Sequence, residues 1–268
     1  MKAKFFVFPI LFLFSFIFSL YLYVHYENNQ AFMNSRLTGL NSIIKKQNSN
    51  LKRVKKDIPN VLLRNVQDVK SPIVLYELFG LKIAIRSERP IFNNENFLSV
   101  PAAFTTETDQ IDGLFIENGI EINSTFNRKL TGFCIISGDS LNILPTVNLD
   151  HKILEQVKQK KNSLFQQFLL VNNSEIITGY DFNGAISLRR ALVQFKNSVC
   201  IAESGKPISI REFQKSLIKI GAVNALYLDM GTWSEGWYKN YSREKLVIGE
   251  TMVNTDRQTN WIIYEREI

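Results

Sequence analysis

Histidine and cysteine are scarce, with two of each in 268 residues. With only His25 and His151 available, no His/Cys zinc cluster can be assembled. A Ser-His-Asp triad would have to recruit His151, directly after Asp150 in an apparent loop. Cys134 and Cys200 both lie in apolar runs and read as buried strand residues; a disulfide between them is the alternative. The loop acids Asp109, Asp112, Asp139 and Asp181 match no cation-ligand spacing, so neither a metal nor another cofactor is expected. There are no internal repeats, and the single low-complexity stretch is Phe-rich and N-terminal. A basic folded domain is missing too, although the net charge is +7. Residues 1–70 carry eleven Lys/Arg against three Asp/Glu, whereas residues 71–268 carry twenty-one against twenty-two. The positive excess therefore belongs to the leader, and a nucleic-acid groove is excluded from the expected functions.

What is present begins with residues 5–24, an uncharged apolar run preceded by Lys2 and Lys4. At about 1.5 Å per residue it reaches roughly 30 Å, the thickness of a hydrocarbon core. It is longer than the apolar core of a cleavable signal peptide and ends in Tyr21, Tyr23 and Tyr26, an interfacial aromatic belt. The reading is a signal-anchor over residues 1–26, with a cytoplasmic N-terminus and an extracytoplasmic or periplasmic remainder. Residues 27–70 form a polar stalk with apolar heptad positions Leu37, Leu40, Ile44, Leu51, Val54 and Ile58, and Gln47 at one core position. Such a repeat could pair two copies as a short coiled coil; a lone amphipathic helix or a loose tether is the alternative. The cluster Lys45, Lys46, Lys52, Arg53, Lys55 and Lys56 is a solvated face or a helix lying on an anionic membrane.

Residues 71–268 read as a mixed, mainly antiparallel α+β domain with a few helices. Residues 73–86 form a strand or hairpin around Gly80. Asn118-Gly119 and Gly138-Asp139 each separate two apolar runs and predict hairpins. Two further strands fall within residues 185–202. Ser209 and Glu212 form a capping box ahead of the stripe Phe213, Leu217 and Ile220, and Gly221 ends that helix. The chain then enters residues 224–238, NALYLDMGTWSEGWY, where an apolar strand delivers Asp229 to a glycine- and aromatic-rich turn. A strand ending in an acid is a common foundation for a site; a core-closing turn is the plain alternative.

Four segments, taken in order, resemble the phosphodiester glycosidase family: PAAFTTETDQIDGLFIENG (residues 101–119), QQFLLVNNSEI (166–176), SLRRAL (187–192) and SIREFQKSLIKIGAVNALYLD (209–229). The resemblance spans just over half the chain. The family commonly has Asp-Gly-Gly-Gly-Ser at the last turn, where this chain has Asp229-Met230-Gly231-Thr232-Trp233, with Ser234 one place late. Its upstream turn commonly has Asn where this chain has Pro101. These departures imply a divergent bacterial branch with a reshaped pocket.

The resemblance implies cleavage of an N-acetylhexosamine-1-phosphodiester in envelope or imported glycans, a carbohydrate phosphodiester being the substrate. Carboxylates serve the oxocarbenium-like centre and a guanidinium fork serves the departing phosphate. The expected catalytic residues are Asp229, Glu235 and Arg189. Arg190 points to the opposite face if the segment is a strand, so one arginine faces substrate and the other does not. Substrate-binding expectations are Phe104 and Thr105 on the far wall, Arg190 beside Arg189, Gly231 and Ser234 at the turn, and Trp233, Trp237 and Tyr238 stacked on a sugar face. The competing function is a non-catalytic envelope module that keeps the fold and binds glycan or a protein partner.

Overall fold

The computed structural model describes residues 60–67, 71–138, 140–179, 184–231, 235–249 and 254–266, with the isolated positions 19 and 23. Apart from positions 19 and 23, the span expected at residues 5–24 lies outside the described residues, as does the body of the expected stalk. Among the described residues, no helix is long and apolar enough to cross a membrane. Strands are numbered in chain order. A seven-stranded sheet runs β1 (Asn60–Val66), β2 (Ile73–Phe79), β13 (Val199–Ser204), β12 (Arg190–Gln194), β14 (Asn224–Tyr227), β10 (Leu169–Asn172), β11 (Glu175–Ile176). A second sheet has the order β16 (Lys245–Val247), β15 (Trp237–Lys239), β4 (Asn96–Pro101), β17 (Trp261–Arg266), β3 (Leu81–Arg86). The third is β6 (Ile120–Asn123), β5 (Phe115–Glu117), β9 (Ser163–Gln167), β7 (Gly132–Ser137), β8 (Ser140–Pro145). Two α-helices complete the described residues, α1 (His151–Gln159) and α2 (Ile210–Lys219). The mainly antiparallel architecture with few helices is as expected.

Directly opposed residues of an antiparallel pair share a face. Arg190 opposes Glu203, which opposes Val74; Leu192 opposes Ile201, which opposes Tyr76. Ala191, Ala202 and Leu75 therefore share the other face. Helix α2 covers that second face, setting Phe213 and Leu217 among Leu75, Ala191, Val193, Cys200, Ala202 and Tyr227. Its capping box forms, with Ser209 Oγ accepting from Glu212 N at 3.2 Å. The Glu212 carboxylate accepts from the Ser209 hydroxyl at 3.3 Å, a variant of the backbone contact expected. Gly221 follows the helix in the left-handed region at φ +92°. The first face meets the second sheet through Tyr264, whose hydroxyl accepts from Ile201 N at 2.8 Å and donates to Tyr76 O at 2.9 Å.

Asn118 and Gly119 both take positive φ and close the β5–β6 hairpin, as expected of that dipeptide. Gly80 also turns the chain, but β2 and β3 do not pair; they enter different sheets. β1, within the segment read as stalk, is an edge strand of the largest sheet. Cys134 and Cys200 are buried free thiols in β7 and β13. Helix α1 was not expected, though Asp150 caps it by accepting from Ile153 N at 2.8 Å. It buries Val157 against Leu114, Ile116, Phe133 and Leu164.

Gly132 in β7 lies where backbone and core meet. A Cβ there would sit 2.7 Å from Leu169 Cβ and 2.8 Å from Leu226 Cδ1, inside van der Waals contact. Gly132→Ala is expected to destabilise the domain by about 1–3 kcal/mol through overpacking, read as a lower urea midpoint at unchanged slope.

Candidate active site

β14 lies between β12 and β10 inside the seven-stranded sheet, and its apolar run continues through Leu228 to Asp229. The Asp229 amide donates to Ala102 O at 3.1 Å, just past the end of β4. The acid thus sits where the first two sheets meet. Its Oδ1 accepts from Gly231 N at 2.8 Å and its Oδ2 from Thr105 N at 3.3 Å. Asp229 is only 4% exposed, and burial pushes its carboxyl up to about 6. Backbone donation from Gly231 and Thr105, the charge of Arg190, and donation from Met230 oppose that rise without cancelling it. A carboxyl held near 6 suits proton transfer close to neutrality.

The two adjacent arginines are both buried and have separate roles. Arg189 Nε donates to Ile208 O at 3.3 Å, Nη1 to Tyr227 Oη at 3.2 Å and Nη2 to Ala185 O at 2.5 Å. It ties the approach to α2 onto the sheet, and each of its side-chain nitrogens has an acceptor. Arg190 points to the opposite face, as strand alternation requires. Its Nε and Nη2 donate to Glu203 Oε2 at 3.0 and 2.7 Å, while Nη1 has no hydrogen-bond partner among the described residues. Gly236 and Gly249 roof this guanidinium. A Cβ on either would lie 3.3 or 3.0 Å from Nη2, and Gly249 has φ +76°. Arg190 is the arginine whose charge favours ionised Asp229.

The other expected site residues divide around this centre. Thr105 lies against Asp229, and its hydroxyl meets that of Thr259 at 3.0 Å. Phe104 turns toward the α2 side, with its ring 5.7 Å from Phe168 and 6.0 Å from Tyr227. Gly231 holds the Asp229 carboxylate. Glu235 pairs with Arg89 at 2.8 Å, and Arg89 also stacks 5.4 Å above Trp261. Trp237 and Tyr238 are core residues rather than cleft walls: each is 1% exposed, with Trp237 against Phe92 and Tyr238 against Tyr76. Trp233 and Ser234 lie outside the described residues.

Asn260 has a part that its sequence context does not signal. Fully buried, it accepts from Ala103 N at 2.7 Å and donates to Ala103 O at 3.1 Å, fixing the loop that brings Thr105 to Asp229. Beside Thr105 opens a cleft of about 610 Å³ whose walls include Thr106, Gln110, Asp112, Asn123, Thr125 and Thr259. These are neutral or acidic hydrogen-bonding groups, with Ile111 and Ile122 between them, a surface suited to hydroxyl-rich ligands. Asp229 is not itself a wall; Thr105 and Thr259 stand between.

No family model matches the chain, and no curated protein matches it. Among solved structures it is similar to the catalytic domain of zebrafish N-acetylglucosamine-1-phosphodiester alpha-N-acetylglucosaminidase, auto-inhibited by its pro-peptide. That match has 13% identity and a TM-score of 0.50 over 79% of this chain and 83% of that one. A hypothetical protein from Synechocystis is 13% identical, with a TM-score of 0.47 over 76% and 61% of the two chains. At this level of identity, the likeness to the zebrafish domain is one of fold.

Proposed function

We propose that this protein is a phosphodiester glycosidase acting on a sugar-1-phosphodiester of N-acetylhexosamine type. The observation that carries the reading is Asp229: a nearly buried carboxyl at the end of an interior strand, held near 6, in a fold shared with an enzyme of that activity. The ionised carboxylate faces the oxocarbenium-like centre, as nucleophile or as base for water. Phosphate is already a good leaving group, so a strong general acid is not needed. Of the two arginines, Arg190 is the one that supports the departing phosphate, through its charge beside Asp229 and not by contact, because it is buried under Gly236 and Gly249 while the nitrogens of Arg189 are taken. The sugar enters by the cleft beside Thr105 and reaches Asp229 once Thr105 and Thr259, which stand between, move apart. A membrane anchor at residues 5–24, an extracytoplasmic domain and pairing through the stalk belong to the same proposal.

One observation favours a non-catalytic module instead: both Asp229 oxygens already accept backbone amides, as a purely structural cap would. The two readings separate when the full-length protein is incubated with UDP-N-acetylglucosamine or a simple N-acetylglucosamine-1-phosphodiester and followed by phosphorus NMR. The enzyme releases UDP from the first substrate and a phosphomonoester from the second, and Asp229→Asn slows release by about a thousandfold, within the range of acid–base groups. Absence of turnover by folded protein that still binds glycan establishes the module.

A further inference from the structure

The β15–β16 hairpin and its turn gather cations that enter no ion pair among the described residues. Lys239 opposes Lys245 and Trp237 opposes Val247, so all four side chains share one face of the second sheet. Lys239 is 2% exposed. Its ammonium donates to Asn93 O and lies 4.4 Å from the Phe97 ring centre and 5.2 Å from that of Phe92. Arg243 stacks 5.0 Å over the same Phe97 ring, and Lys245 lies 5.5 Å over Trp237. Burial, then the charges of Arg243 and Arg266, push the Lys239 ammonium below its ordinary value.

Among the described residues, none of Lys239, Arg243, Lys245 and Arg266 forms an ion pair. Arg243 and Arg266 repel the Lys239 ammonium, and the single carboxylate at the turn, that of Glu244, is engaged by Asn240 at 2.7 Å. Aromatic supports hold Lys239, Arg243 and Lys245 in place without neutralising them.

Apolar side chains stand beside these cations. Ile91 is 72% exposed, Val247 55% and Phe92 38%. The loop bearing Ile91 and Phe92 is braced: Asn96 Nδ2 donates to Ile91 O at 2.9 Å, and Asn93 Oδ1 accepts from Glu95 N and Asn96 N. A braced apolar tip next to unpaired Lys and Arg matches an anionic bilayer surface, which takes the cations at its headgroups and the apolar side chains at the acyl boundary. A nucleic acid would satisfy the charges but would leave Ile91 and Val247 in water; an acidic protein that covers both is the alternative occupant, which an acidic polypeptide distinguishes from lipid.

We infer that the face formed by Ile91, Phe92, Arg243, Lys245 and Val247 docks the domain onto a membrane rich in anionic phospholipid. This inference is independent of the catalytic reading, since neither Asp229 nor the cleft takes part. Full-length protein is mixed with vesicles of phosphatidylcholine alone or phosphatidylcholine with phosphatidylglycerol, and amide hydrogen exchange is followed across residues 88–97 and 239–247. Protection of both segments is expected with the anionic vesicles and should fade as salt is added. In Arg243→Glu with Lys245→Glu, the lipid concentration needed for half-protection should rise at least about tenfold. Ile91→Ser should raise it less and leave the salt dependence intact. Both variants should keep the native thermal midpoint, so lost protection reports docking and not unfolding. Equal exchange with the two vesicle types overturns the inference, as does protection by an acidic polypeptide or RNA that lipid does not reproduce.

Discussion

Glu203→Leu is expected to lower the stability of the domain by about 3–5 kcal/mol, because it strands the Arg190 guanidinium in the interior. Both partners of this pair are nearly without solvent contact, with side chains 2% and 3% exposed. Desolvation is therefore paid in full, while the attraction that offsets it vanishes with the carboxylate. For a domain of about 200 residues, that loss moves the thermal midpoint down by roughly 10 °C. Adding Arg190→Met should recover most of it, since an apolar pair of similar volume is often no less stable than a buried ion pair. A double-mutant cycle on the two positions measures the coupling. A midpoint within a degree of the native protein in Glu203→Leu would show that the pair is open to water.

The second large effect concerns pH. A free aspartate titrates near 3.9, and the buried Asp229 near 6. The native state thus holds this proton more tightly than the unfolded chain does. Its contribution to stability is fully present below about 4, shrinks as pH rises toward about 6 and is lost above that. The span corresponds to about 3 kcal/mol. Asp229→Asn should flatten this part of the pH–stability curve, and it should be less stable than the native protein at pH 4, since its amide nitrogen cannot accept from Gly231 or Thr105. Urea unfolding from pH 4 to pH 8 tests both statements. In the catalytic reading, kcat/KM climbs through the same region as the carboxylate forms. An activity limb near 6 without a matching stability limb would assign the titration to another group.

Local signals carried much of this architecture. Asn118-Gly119 specifies positive φ at two successive residues, so the β5–β6 hairpin follows from the dipeptide alone. Ser209 and Glu212 mark the start of α2 just as locally. Parity along β12 places Arg189 and Arg190 on opposite faces, but the choice of the face near Asp229 depends on which strands flank β12. That is tertiary information. Gly80 announces a turn yet says nothing about partners, and β2 and β3 join different sheets. β9 hides behind its polarity: Gln166 is fully buried because its carboxamide oxygen accepts from Leu114 N and Asn127 N, partners no local pattern can show. Asn260 escapes notice for the same reason, being far in sequence from the Ala103 it clamps.

The position of β17 also constrains how the chain can be assembled. It lies between β4 and β3, and the contact of Arg86 with Glu265 spans 179 positions. Pairing at such separation is slow, because the closure entropy of a long loop precedes any gain from contacts. Until β17 arrives, β3 and β4 present facing, unsatisfied edges on a half-built sheet, a template that another molecule's β17 could fill. Refolding at high protein concentration should therefore favour strand-exchanged dimers, whereas slow, dilute refolding should return monomeric domains.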